Sequence, residues 1–384
     1  MYLLLLAIIY LAFVSLGLPD SLLGSAWPTI HAELGLPISG MGAISVIIST
    51  GTVISSLMTD RLTRKFGTGA VTAGSVFLTS AALFGFSVSG NLLSLCLWGI
   101  PYGIGAGAID ASLNNFVALH YNSRHMSWLH CFWGLGAVVS PYIMSFALTH
   151  SVWNDGYRAV SLIQLVIFLA LLLSLPIWKG FSGAAAAEES EKPLGFKNTL
   201  RISGVPSVLF GFMAYCSAES IAMLWASSYL EGAIGLTKDR AAELGAMFFI
   251  GMTVGRFLSG LISERLGDRR LIIFGGSLAL VGASLILIPT EITSILGLIV
   301  FGLGCAPIYP SIIHMTPLRF GKERSQSIIG IQMASAYIGF TLTPPIFGLI
   351  ADYIDIGVMP LLLILFMLTT LLLIERSSRG LKSS

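Results

Sequence analysis

The sequence predicts an all-α membrane protein, with twelve transmembrane helices in two parallel-repeat six-helix bundles. Three observations predict it. Of 384 residues, 55% are hydrophobic and 10% charged, and the mean hydropathy is +0.86. A water-facing domain carries roughly a quarter of its residues charged, so the solvent of this chain is lipid. The chain also divides into apolar runs separated by short polar punctuation, each long enough to cross a core of about 30 Å. Finally, a weak internal repeat recurs at offsets of 204, 199 and 203 residues, which relates two halves in the same orientation.

The runs fall at about 2–30, 40–59, 67–89, 91–118, 127–149, 158–178, 205–230, 240–263, 271–289, 292–315, 326–350 and 356–374. None shows the short alternation of a barrel strand, and helices then remain the backbone solution in hydrocarbon. The first run contains Leu18-Pro19-Asp20-Ser21, where proline removes an amide donor and a carboxylate enters an otherwise uncharged stretch. Asp20 there reads as a helix N-cap or as a titratable group. Pro141, Pro307, Pro310, Pro344 and Pro345 permit kinks in later helices.

Charge placement orients the chain. Arg61, Arg64, Lys65, Arg124, Lys179, Lys192, Lys197, Arg201, Arg265, Arg269, Arg270, Arg319, Lys322, Arg324, Arg376, Arg379 and Lys382 fall on one side, and Arg158, Lys238 and Arg240 on the other. The positive-inside rule puts both termini in the cytoplasm, and the expected location of this multi-pass protein is a bacterial inner or plasma membrane. The longest connection, with GFSGAAAAEESEKPLGFKN, is small, charged and broken by Pro193 and Gly195. It predicts an N-terminal bundle over 1–178, a cytoplasmic linker over 179–204 and a C-terminal bundle over 205–384.

The repeat rests on three pairs. Gly51-x3-Ser55-x-Leu57-x2-Asp60-Arg61-Leu62 matches Gly255-x3-Ser259-x-Leu261-x2-Glu264-Arg265-Leu266. Gly103-Ile-Gly105-x3-Ile109-x2-Ser112 matches Gly302-Leu-Gly304-x3-Ile308-x2-Ser311, and Gly136-x3-Ser140-Pro141 matches Gly339-x3-Thr343-Pro344. Parallel halves place a site at the bilayer midplane.

The loops after the second and eighth helices carry Ser56-x3-Asp60-Arg61-x2-Arg64-Lys65 and Gly260-x3-Glu264-Arg265-x-Gly267-x-Arg269-Arg270. Together they resemble the G-x3-D-R-x-G-x-R/K-R/K loop signature of the major facilitator superfamily, with Ser56 and Thr63 replacing glycines in the first copy. His130-Cys-Phe-Trp-Gly134-Leu-Gly136-Ala137 and Gly302-Leu-Gly304-Cys-Ala306-Pro307-Ile-Tyr-Pro310 resemble the branch holding proton-coupled fucose permeases. The resemblance implies alternating access by rocking of two six-helix bundles. The helix-five glycines of the drug-antiporter branch are missing around Ser140-Pro141.

Asp60, Arg61, Arg64, Lys65, Glu264, Arg265, Arg269 and Arg270 are the candidate cytoplasmic gate, since a carboxylate at a helix end beside arginines can latch one conformation. They also serve as topology determinants. Ionisable residues in a bilayer are costly and mark function by default. The acids Asp20, Asp110 and Glu219 are the proton-coupling candidates. Asp110 and Asn114 share a helix face at i, i+4 and predict a cluster with His130. Glu219 and Arg256 sit mid-helix as a self-neutralising pair or a tuned acid. Glu219-Ser220-x4-Trp225 echoes Asp20-Ser21-x5-Trp27. Trp27, Asn114, His130, Trp225, Tyr229, Arg256, Gln332 and Tyr337 are candidates to bind a substrate, because aromatic faces stack on sugar rings while amides and acids bind hydroxyls. Core packing and interface belts compete for each aromatic.

Cys96, Cys131, Cys216 and Cys305 fall in apolar stretches without metal-ligand spacing and read as small hydrophobes. No Walker A loop or HExxH motif occurs, so neither ATP nor a catalytic centre is expected, and no cofactor or metal. The function expected is proton-coupled uptake of a small polar solute such as a sugar. An exporter of drugs or metabolites and a non-transporting receptor are the alternatives. The partners are that solute, protons and the lipid bilayer, with no nucleic acid, and the chain is expected to be monomeric.

Overall fold

The computed structural model describes residues 2–36, 40–185, 195–236, 241, 244–245 and 247–379. Lys192, Lys238, Arg240, Lys382 and residues 186–194 of the expected linker lie outside them. The elements are α1 (Tyr2–Gly17), α2 (Leu22–Glu33), α3 (Gly40–Phe66), α4 (Thr68–Ser87), α5 (Leu92–His120), α6 (Ser123–His150) and α7 (Trp153–Ala185). They continue with α8 (Phe196–Leu200), α9 (Val205–Gly232), α10 (Met247–Leu266), α11 (Asp268–Ile286), α12 (Glu291–Cys305), α13 (Ile308–Phe320), α14 (Lys322–Tyr353) and α15 (Met359–Arg379). Eleven described helical segments are long and apolar enough to cross a membrane. The remaining expected span, 240–263, lies partly outside the described residues and overlaps α10, which carries Arg256, Glu264 and Arg265.

Two spans are broken where proline removes an amide donor. Between α1 and α2 the chain turns at Leu18–Ser21, with the Leu22 amide donating to the Pro19 carbonyl at 3.2 Å. Between α12 and α13 the break falls at Ala306-Pro307. A break inside hydrocarbon is tolerated where neighbouring groups satisfy the released backbone.

The chain forms two compact units. One comprises Met1–Phe116 and Leu129–Leu194, the other Val117–Trp128 and Gly195–Ser384. The segment Val117–Trp128, which the sequence places in the first half, therefore groups with the second.

In the first unit a core gathers Leu22, Trp27, Ile30, Leu83, Phe86, Trp153 and Tyr157. Phe86 stacks on Tyr157 at 5.5 Å between centroids. Apolar residues such as Leu173 and Phe146 point outward, as lipid-facing positions do. Helices approach until backbones touch. A Cβ on Gly17 would stand 2.0 Å from the Trp133 carbonyl oxygen, and one on Gly136 would stand 2.3 Å from that of Val14. Small residues at such crossings are what allow close packing in membranes. We expect Gly17→Ala to destabilise the protein by about 1–3 kcal/mol through overpacking. Gly24→Ala, with nothing within 4 Å of the added carbon, is the neutral control in detergent melting curves.

The second unit repeats this crossing. A Cβ on Gly339 would meet the Met213 carbonyl at 2.8 Å and the Ser217 hydroxyl at 3.2 Å. Met213 and Ser217 lie 199 residues after Val14 and Leu18. Likewise a Cβ on Gly103 would meet the Ile48 carbonyl at 2.1 Å, and one on Gly302 the Phe248 carbonyl at 2.3 Å. The matched glycines thus make equivalent helix crossings, which is why they recur.

Candidate functional site

The break after Gly17 sets the geometry of Asp20. Because α1 and α6 touch at Gly17 and Gly136, Trp133, one turn before Gly136, is drawn against the turn. Its indole donates to Asp20 Oδ2 at 2.8 Å, and the buried Tyr102 hydroxyl of α5 donates to Asp20 Oδ1 at 2.8 Å. Ser21 donates to the Ala137 carbonyl at 2.6 Å, locking the turn to α6. The N-cap position of α2 is Ser21, so Asp20 is not a cap. Both carboxylate oxygens are held by neutral donors, and the residue nonetheless remains exposed.

Asp110, Asn114 and His130 meet in the first unit. Asn114 Nδ2 donates to Asp110 Oδ1 at 2.7 Å, and Asn114 Oδ1 lies 3.2 Å from His130 Nε2. With the amide nitrogen committed to the carboxylate, its oxygen can only accept, so the proton on His130 sits at Nε2. The Phe13 ring meets the imidazole edge-on at 5.6 Å. All three polar residues are buried.

Glu219 stands 199 residues after Asp20, on the same register that relates Val14 to Met213. The duplicated position carries different chemistry. The residue 199 after Tyr102 is Phe301, which has no donor. Glu219 instead faces Arg256, with Nη2 to Oε1 at 3.4 Å and both side chains buried. Its Oε2 makes no hydrogen bond among the described residues. Tyr215, one turn earlier, donates to the Cys305 carbonyl at 3.0 Å.

Four aromatic or amide candidates have neighbours within their own unit. Trp27 is 4% exposed within the core of the first unit. Tyr229 is buried and donates to the Ile286 carbonyl at 2.8 Å. Trp225 donates to the Pro344 carbonyl at 3.2 Å and meets Phe347 edge-on at 5.3 Å. Gln332 is buried, its Oε1 accepting from Thr316 at 3.0 Å, while its Nε2 makes no hydrogen bond among the described residues. Tyr337 is half-buried.

The two loop signatures also diverge. Asp60 pairs with Arg64 of its own helix at 2.8 Å, and Lys65 lies 5.1 Å over the Phe66 ring. In the second unit Glu264 pairs with Arg124 at 2.9 Å and accepts from Asn122 at 3.3 Å. Arg269 pairs with Glu375 at 2.6 Å. Arg61, Arg265 and Arg270 are exposed. Arg124, Tyr102 and Trp133 were not picked out as site residues from sequence. Tyr102 lies two turns before Asp110 on the same helix, the one linear signal that it shares the polar face.

A multi-pass helical bundle with duplicated crossings and ionisable groups within its spans is the architecture of a membrane transporter. The model of the Major Facilitator Superfamily matches residues 9–206 and again 207–383, and the chain belongs to that family. It is 23% identical to "Bypass of stop codon protein 6" of Saccharomyces cerevisiae, over 91% of this chain and 77% of that protein. It is 21% identical to the "Glucose/mannose transporter GlcP" of Bacillus subtilis, over 86% and 84%. Among solved structures, one of the Escherichia coli fucose:proton symporter FucP superposes with TM-score 0.75 at 16% identity, covering 98% of this chain and 99% of that one. The proton:xylose symporter XylE superposes with TM-score 0.72 at 13% identity, covering 95% of each. The protein is an integral, multi-pass transporter and not an enzyme.

Proposed function

We propose that the protein carries a small polar solute, a sugar by preference, into the cell together with protons, by alternating access. In this proposal the termini and the basic helix ends face the cytoplasm, following the bias of arginine and lysine. The observation that carries it is Asp20. It is accessible, sits beside a helix break within a membrane span, and is held by two neutral donors. Such a carboxylate gains a proton without stranding a counter-charge. Glu219 is the poorer carrier, because protonating it would end its ion pair with the buried Arg256 guanidinium. The Asp110–Asn114–His130 chain is a second polar element beside the same unit's helices. The names of GlcP, FucP and XylE support the sugar class.

The test is a solute panel on purified protein, read by thermal stabilisation and by proton uptake into proteoliposomes. A sugar at a hundredfold excess over its Kd is expected to stabilise by about 2.7 kcal/mol and to make the outside medium alkaline. Stabilisation by drugs with proton release would favour the exporter, and no ligand with no flux would favour the receptor alternative.

A further inference from the structure

The segment Val117–Trp128 joins α5 to α6 yet packs with the second unit, and its attachment there is polar. Ser123 donates to Asp268 Oδ1. Asp268 Oδ2 lies 2.6 Å from His314 Nδ1. His314 Nε2 lies 3.0 Å from the Tyr121 carbonyl oxygen. His314, on α13, is therefore clamped between the first residue of α11 and the segment's backbone. His314 lies outside the loop signature, and Asp268 occupies its variable position between Gly267 and Arg269.

Both imidazole nitrogens face oxygen acceptors. A carbonyl oxygen cannot donate, so Nε2 must carry hydrogen. Nδ1 faces a carboxylate, so a further proton must lie between Nδ1 and Asp268. The His314–Asp268 pair thus holds one proton beyond neutral imidazole and ionised carboxylate. Remove it, and the one remaining N–H can serve Asp268 or Tyr121, but not both. The other nitrogen then turns a lone pair on an oxygen.

The other titratable groups of these elements have other neighbours or are exposed. Glu264 of α10 is paired with Arg124, and His125 meets Trp128 edge-on at 6.0 Å. Arg269 of α11 is paired with Glu375 of α15. Arg319 of α13 donates to Ser377, and Lys322, Glu323 and Arg324 at the start of α14 are exposed. Asp268 is the carboxylate in contact with the ring.

We propose that His314 is a proton-dependent positioning residue: with the shared proton present it fastens Val117–Trp128 to α11, and losing that proton loosens the segment. Its effect on turnover rests on the proposed transport cycle, in which this segment must move. The fastening itself does not.

Hydrogen–deuterium exchange of the 117–128 amides, on the full-length protein in detergent and corrected for intrinsic exchange, tests this from about pH 5.5 to about pH 8.5, the range histidine covers. In the wild type, protection should fall about tenfold as pH rises, the ratio set by one hydrogen bond to a charged group. His314→Gln should be weakly protected at every pH. Asp268→Asn should be protected at every pH, because an amide donates to Nδ1 and lets a neutral imidazole keep its bond to Tyr121. Melting curves identify a variant that fails to fold. Wild-type protection that ignores pH would overturn the proposal, as would an unaltered pH response in Asp268→Asn. Since no solute is needed, failure here is distinguishable from failure of the transport assignment.

Discussion

Replacing Asp20 by asparagine is expected to abolish solute accumulation driven by a proton gradient while leaving solute exchange running. One pH unit is worth about 1.36 kcal/mol per proton, so a one-unit gradient coupled to one proton supports about tenfold accumulation. The variant should fall to equal concentrations on both sides. The geometry gives the reason. Tyr102 and Trp133 each aim a donor at a different Asp20 oxygen. Asparagine accepts only one of them and turns its own NH2 toward the other, so it mimics neither the ionised acid nor its hydrogen bonding. Its side chain also never titrates. Counterflow, which needs no net proton movement, separates lost coupling from lost binding. Accumulation that survives in the variant removes Asp20 from the role.

The second large effect concerns stability. Arg256→Leu is expected to cost about 3–5 kcal/mol, the usual penalty for leaving one member of a buried ion pair without its partner. Glu219 would keep a carboxylate that is buried and whose Oε2 already lacks a hydrogen bond among the described residues. Adding Glu219→Leu should recover most of the loss, because two apolar side chains need no solvation. Melting temperatures of the two single variants and the double variant close a cycle. Additive losses would mean that the two groups do not depend on one another, and the contrast drawn between Glu219 and Asp20 would fail.

The Asp110–Asn114–His130 chain was legible in sequence because it needs only helical spacing and two neighbouring helices. The relation of Glu219 to Asp20 was visible only as an echo, since the tryptophans that accompany them do not align. Backbone crossings at Gly136 and Gly339 fix the register and show that the acids correspond while Trp27 and Trp225 do not. Trp27 and Tyr229 were candidates for a lining because aromatic type carries no direction. In the structure Trp27 lies in the core of the first unit, and Tyr229 donates to the Ile286 carbonyl.

Composition and hydropathy by themselves determined the solvent and the all-helical backbone, because both depend on averages over whole segments, while the duplication showed in spaced residue matches. The same linear pattern placed an acid beside Pro19 without saying what would hold it. Tertiary structure decided the chemistry of each acid. Two positions 199 residues apart became unlike, one facing neutral hydroxyl and indole donors, the other a guanidinium. Proton affinity depends on groups within a few ångströms, and those groups come from helices distant in the chain.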